Sequence, residues 1–211
     1  KVVDKMQGVY IPFWLYSGNC EGSITAEGIN TRTWTSGNYR YTEKKYYSVY
    51  RNGTLDFKAV PVDASSKTDD DAMDSIEPFD YSEMTAFNPG YLSGYLAERY
   101  DEDKDKCLPR AKERIENTTR DELRNTCNYN SVNVQSYEKH TEIKDVKYAM
   151  LPTWLLYTTY QDKPYFFAMN GQTGKFIGNL PISKGKLVAY SLLGGVGGYI
   201  IGAILQIMGI F

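Results

Sequence analysis

The last 25 residues, Leu187 to Phe211, carry no charged side chain. A helix of that length is about 37 Å long, enough to cross a hydrocarbon core of about 30 Å. Twelve Leu, Ile, Val or Phe side chains fall within it, and they favour insertion by roughly 4 to 7 kcal/mol. Gln206 and the glycines oppose insertion, and the alternative is a buried core hairpin. A soluble helix this long ordinarily shows a polar face, so the sequence predicts a single-pass transmembrane helix over 187–211. Lys184 and Lys186 precede the span, with Lys175 nearby, and no charge follows it. By the positive-inside rule this places the large domain in the cytoplasm of a cell-membrane protein. Gly194, Gly198 and Gly202 recur at i, i+4 and i+8. Such a stripe permits helix–helix packing and a homo-oligomer, although glycine is also simply common in membrane helices.

Over the whole chain 24% of residues are charged and 42% apolar, an ordinary globular composition. Net charge is −2. No overall basic field draws the chain to phosphates, so no nucleic-acid partner is expected for this region. Nineteen tyrosines favour strands, where the ring packs on a half-covered pleated surface. The functional alternative is an aromatic binding face. Cys20, Cys107 and Cys127 have no paired spacing, which fits reduced thiols better than a disulfide framework or a zinc site. No cofactor and no metal are expected.

Val9 to Tyr16 reads as a buried strand with Pro12 at an edge or bulge. Gly18-Asn19 reads as a turn and Ser23 to Ile29 as a second strand. Tyr39 to Tyr50 has strand composition. Asn52-Gly53 signals a hairpin turn, followed by a returning strand in which Leu55, Phe57 and Ala59 alternate with Asp56 and Lys58. Asp69, Asp70 and Asp71 cap a short helix running to Ile76. Phe79 to Tyr100 is irregular. Lys104 to Thr126 is the main helix, with Leu108, Ala111, Ile115 and Leu123 as its apolar stripe and Pro109 suited to its first turn. Lys147 to Tyr160, Tyr165 to Met169 and Lys175 to Leu180 are strands, the last two joined by a tight turn at Asn170 to Gly174.

Pro12-Phe13-Trp14-Leu15 is echoed by Pro152-Thr153-Trp154-Leu155. Two related β subunits explain the echo, and so does chance between two aromatic strands. Trp14 and Trp154 are either core residues or weak partner-binding residues. The organisation expected is a β-rich subdomain over 1–103, a helix with a second β subdomain over 104–183, and the span at 187–211. The fold class is α+β, an antiparallel β-rich domain with one main helix and a C-terminal transmembrane helix.

Catalytic signals are weak. His140 lies in a polar stretch and cannot supply a triad alone. Asp101 to Asp105 resembles the start of a calcium loop but lacks its glycine and its final glutamate, so a solvated charge run is the better reading. Gly171-Gln172-Thr173-Gly174-Lys175 is too short for a P-loop.

The segments Tyr10 to Tyr16, Thr31 to Trp34, Gly37 to Glu43, Ser75 to Tyr81, Tyr91 to Ala97, Tyr148 to Trp154 and Ala168 to Lys175 together resemble the bacterial membrane-tethered TFIIB-type zinc-ribbon proteins, sometimes labelled helicase-like. The resemblance implies zinc ribbons upstream of this region and apolar helices at the C-terminus. It implies no established activity.

The function expected is a non-catalytic, membrane-anchored cytoplasmic module that binds or scaffolds a protein partner, and no catalytic residue is assigned. One alternative is a hydrolase or transferase using carboxylates such as Glu77 and Asp80. The other is an oligomeric membrane assembly built on Gly194, Gly198 and Gly202.

Overall fold

The computed structural model describes residues 6–160, 163–178 and 184–207. Three strands dominate it: β1 (Gln7–Ser36), β2 (Tyr39–Asp63) and β4 (Ser131–Tyr160). At about 3.3 Å per residue, a 30-residue strand runs about 100 Å, several times the usual length. A two-residue strand β3 (Leu96–Ala97) and the shorter β5 (Lys163–Asn170) and β6 (Phe176–Gly178) complete the sheet. Its order is β2-β1-β4-β5-β6, with β3 beside the start of β1. All pairs are antiparallel except the β1–β3 pair.

The hairpin turn between β1 and β2 falls at Gly37-Asn38, not at Asn52-Gly53. Gly37 has φ +59°, as the first central position of a tight hairpin turn requires. Gly53 instead stands directly opposite Gly22 on β1. Side chains of α2 (Lys104–Asn125) lie over both: Thr119 and Leu123 would meet a Cβ at Gly22, and Leu123 one at Gly53. A missing Cβ here serves the close approach of a helix, which overrides local turn chemistry. Gly18-Asn19 is likewise inside β1. Both ladders slip at Gly18, and an added Cβ would stand 2.0 Å from the Glu142 carbonyl oxygen. This is a bulge where two backbones crowd.

Alternation along the sheet then sorts the core. Val9, Ile11, Phe13 and Leu15 pack with Leu151, Leu155 and Ala168 against Met73, Ile76 and Phe79, at and beyond helix α1 (Asp70–Ser75). Tyr16 and Val62 pack against Cys107 and Ala111 of α2. Ile24, Ala26, Val49 and Val132 pack against Leu123 and Cys127. Helix α2 buries Cys107, Ala111, Ile115, Thr119 and Leu123 at intervals of four; of the expected stripe, Ala111, Ile115 and Leu123 are buried and Leu108 is only partly so. The helix begins at Lys104, capped by Asp103, so Pro109 lies beyond the first turn. Helix α1 is capped by Asp69, which accepts from the Ala72 amide at 2.8 Å.

Two arginines tie the helices together beside the edge strand β2. Arg110 binds Asp63 at 2.6 Å, Asp70 at 2.7 Å and Asp74 at 2.7 Å. Arg114 binds Asp74 at 3.0 Å, grips both oxygens of Glu77, and also donates to the Pro61 carbonyl. Asp63 is almost wholly buried. Planar guanidinium groups suit such forked contacts better than ammonium groups do.

The fold class needs correction. The molecule is mostly an antiparallel sheet with α1 and α2 packed on it, and the two β regions belong to one sheet. The β1 and β4 segments that carry the Pro-x-Trp-Leu echo are neighbouring strands of one sheet. The tail forms helix α3 (Lys184–Ile207), and residues 208–211 lie outside the described residues. Among the described residues no helix is long and apolar enough to cross a membrane. Counting Leu, Ile, Val and Phe overstated the apolarity of this segment. Gly194, Gly195, Gly197, Gly198 and Gly202 add no apolar side chain, and Ser191, Tyr190, Tyr199 and Gln206 are polar. The single-pass transmembrane reading and the membrane localisation drawn from it, with its cytoplasmic domain, are therefore withdrawn.

Candidate functional site

Trp14 and Trp154 lie on one face of the sheet. In register, Trp14 stands opposite Tyr148 and Trp154 opposite Gly8, six residues further along β1. That separation is roughly 20 Å at strand spacing. Both rings are half-buried. The segment from Tyr95 to Asp103 crosses this face and lays a tyrosine on each tryptophan. Tyr100 meets Trp14 at 5.6 Å and Tyr148 at 5.7 Å, and Trp14 meets Tyr148 at 5.2 Å. Tyr95 meets Trp154 at 5.9 Å and Tyr10 at 5.5 Å. All five contacts are edge-on, the geometry that ring quadrupoles favour.

Backbone bonds hold the crossing segment in place. Val9 and Tyr10 pair with Leu96 and Ala97, and the Glu98 amide donates to the Tyr10 carbonyl at 3.0 Å. The Trp14 indole donates to the Glu102 carbonyl at 3.0 Å, and the Tyr16 hydroxyl to the Lys104 carbonyl at 2.7 Å. Asp101 accepts from both the amide and the hydroxyl of Ser66, which holds its carboxyl below the usual range. The charge run at 101–105 thus works as loop anchor and helix cap. Trp14 is tied through its indole N–H and Trp154 packs against Tyr95, while Tyr95, Tyr100 and Tyr148 stay 40%, 42% and 44% exposed. The result is a half-open aromatic face.

The sequence reading named the two tryptophans but missed Tyr10, Tyr95, Tyr100 and Tyr148. The alternation of aromatics on β1 and β4 hinted at Tyr10 and Tyr148, nothing periodic pointed to Tyr95 and Tyr100, and the register between the strands was not readable. The glycine stripe does form one side of α3. An added Cβ at Gly194, Gly198 or Gly202 would meet nothing within 4 Å.

The carboxylates proposed for catalysis are committed elsewhere. Glu77 is held by Arg114, and burial still pushes its carboxyl above the usual range. Asp80 accepts from the amide and hydroxyl of Ser82, which pulls its carboxyl down. Lys175 of the glycine loop donates to the Glu77 carbonyl. His140 is exposed. An open cleft of about 710 Å³ lies between α1 and β5–β6, lined by Asp69, Asp71, Ser75, Tyr157 and Phe166. Asp69 there is the α1 cap. Among the described residues no group of three or more His, Cys, Asp or Glu side chains is placed to hold a metal ion.

All three cysteines are buried and free. Burial, reinforced by Glu102, pushes the Cys107 thiol up to about 11, and burial also raises Tyr16, Tyr81 and Tyr137. These groups stay protonated in the folded chain where the unfolded chain ionises. The stability Cys107 contributes is therefore full below about pH 9 and is lost as pH rises towards 11, while that of the raised tyrosines is full below about pH 10 and is lost above it. Urea melts between pH 7 and 11 should show a falling midpoint above pH 9. Iodoacetamide at pH 8 should leave Cys107 unmodified until the chain is unfolded.

No family model matches the chain, and no solved structure matches it. The chain is similar to the uncharacterised protein YdjG of Bacillus subtilis (strain 168), with 38% identity over 189 residues. The match covers 89% of this chain and 55% of the relative, so the chain spans little more than half of that relative's length. These findings lend the zinc-ribbon resemblance no support.

Proposed function

We propose that this chain is a non-catalytic module that binds a protein partner through the aromatic face of Trp14, Tyr95, Tyr100, Tyr148 and Trp154. The observation that carries this reading is the half-open state of the tyrosines over fixed tryptophans. Tyr and Trp are the residues most enriched at interface hot spots, and a pre-ordered ring loses little entropy on binding. The acids that an enzyme reading would use are engaged in clamps and caps. A photo-crosslinking residue at position 148 should trap one protein from the cells that make this chain, and the same residue at Lys144 should not. Tyr100→Ala with Tyr148→Ala should abolish trapping from a nearby reporter position at Met150 and shift the melting temperature only slightly. Equal trapping from positions 148 and 144 would count against a defined surface.

A further inference from the structure

Beyond Ile29 and Ser131, β4 no longer accompanies β1, and the β1–β2 hairpin runs on as a two-stranded ribbon over residues 31–45. Its base is pinned by a reciprocal pair: the Thr31 amide donates to the Asn130 side chain at 2.8 Å, and the Asn130 amide to the Asn30 side chain at 3.2 Å. The ribbon carries Arg32, Arg40, Lys44 and Lys45 against the single acid Glu43, a net charge of +3 in a chain of net −2. Alternation and register place Arg32, Trp34, Ser36, Tyr39, Tyr41, Glu43 and Lys45 on one face, with Glu43 opposite Arg32 and 3.7 Å from the Lys45 ammonium. Trp34 and Tyr41 are stacked with centroids 5.6 Å apart and planes 14° apart, and the Arg32 guanidinium sits 5.7 Å from the Trp34 ring centre. Every residue of the ribbon except Glu43 is exposed.

We propose that this ribbon is a binding arm for single-stranded nucleic acid, a second surface independent of the aromatic face. Flat exposed rings accept bases of any sequence, and cations on the same and opposite faces follow the phosphates. Rings toward the turn lie beside cations at the base and on the opposite face, so the partner must supply π-faces and anions together. An acidic peptide supplies carboxylates, which the negative faces of the intervening rings repel. An anionic lipid surface calls for an apolar face to insert, and residues 31–45 contain no Leu, Ile, Val, Met or Phe. Whole-chain charge hides this arm because the surplus of acids lies elsewhere in the sequence.

The test uses the whole chain and a labelled 20-nucleotide oligouridylate, read by fluorescence anisotropy between 50 and 200 mM NaCl. Binding is expected, with affinity falling as salt rises at a log–log slope no steeper than about −3, for four cations on a single strand. Trp34→Thr, which keeps an exposed strand residue, should weaken binding at least tenfold with the slope unchanged. Arg32→Gln with Lys45→Gln should flatten the slope by about 1.4. Circular dichroism melting of each variant confirms that it is folded. The proposal is overturned by no binding at 50 mM NaCl, by equal binding of a 20-residue polyglutamate, or by a Trp34→Thr variant that binds as well as the parent. Ribbon-dependent pelleting with phosphatidylglycerol vesicles, without oligouridylate binding, overturns it in favour of a lipid surface.

Discussion

Replacing Arg114 by Met should destabilise the fold by about 3 to 5 kcal/mol, the usual cost of removing one member of a largely buried ion pair. The loss is not that of a surface salt bridge. Arg114 grips both oxygens of Glu77, shares Asp74 with Arg110 and donates to a strand carbonyl. Without it, Glu77 is a desolvated acid beside Asp74, and its carboxyl already lies above the usual range through burial. A group whose folded pKa is raised favours the folded state below its unfolded value and loses that contribution as pH rises. The deficit of Arg114→Met should therefore be largest near neutral pH and shrink towards pH 5, where Glu77 can hold a proton. Adding Glu77→Gln should recover part of the loss at pH 7. Urea titrations of the parent and the two variants at pH 5 and 7 measure this. A deficit that does not change with pH would show that packing rather than charge holds the clamp.

Gly18→Val should cost about 4 kcal/mol or more, in the range reserved for backbone conflict or severe overpacking. The Cβ would sit 2.0 Å from the Glu142 carbonyl oxygen, a backbone atom of the neighbouring strand that cannot swing aside. Both ladders already slip at this point, so relief needs a change of register along one flank of β1. A register change turns side chains to the wrong face. Gly22→Ala makes the comparison. Its Cβ would meet the ends of the Thr119 and Leu123 side chains, with closest approaches of 2.9 and 3.0 Å. Those can move, so a cost of about 1 to 3 kcal/mol is expected, as for ordinary overpacking.

These positions also show why the sequence was legible in parts. Helices α1 and α2 announced themselves through local chemistry: Asp69 as a cap, and the apolar residues Ala111, Ile115 and Leu123 at helical spacing. The turn at Asn170 to Gly174 between β5 and β6 did the same, with the Asn170 side chain accepting from the Gln172 and Thr173 amides. The great length of β1 and β2 was not readable, because Gly18-Asn19 and Asn52-Gly53 carry turn chemistry but serve a crowded bulge and a docked helix. Which glycine turns the chain depends on what lies above it, and that is tertiary information. The aromatic site was half legible. Trp14 and Trp154 stood out by their proline-led echo, whereas Tyr95 and Tyr100 reach them from an irregular segment with no periodicity. The tail misled because its glycines and Gln206 were given too little weight, and its tyrosines none, against the sum over its aliphatic residues.

The central claim is that the partner sits on the aromatic face, and the most direct measurement is hydroxyl-radical labelling of aromatic side chains with and without the crosslinked partner. Protection should fall on Tyr95, Tyr100, Tyr148 and Trp154, while Tyr157 and Phe166 in the cleft beside α1 label as before. Protection of Tyr157 and Phe166 with unchanged labelling of Tyr100 and Tyr148 would contradict it.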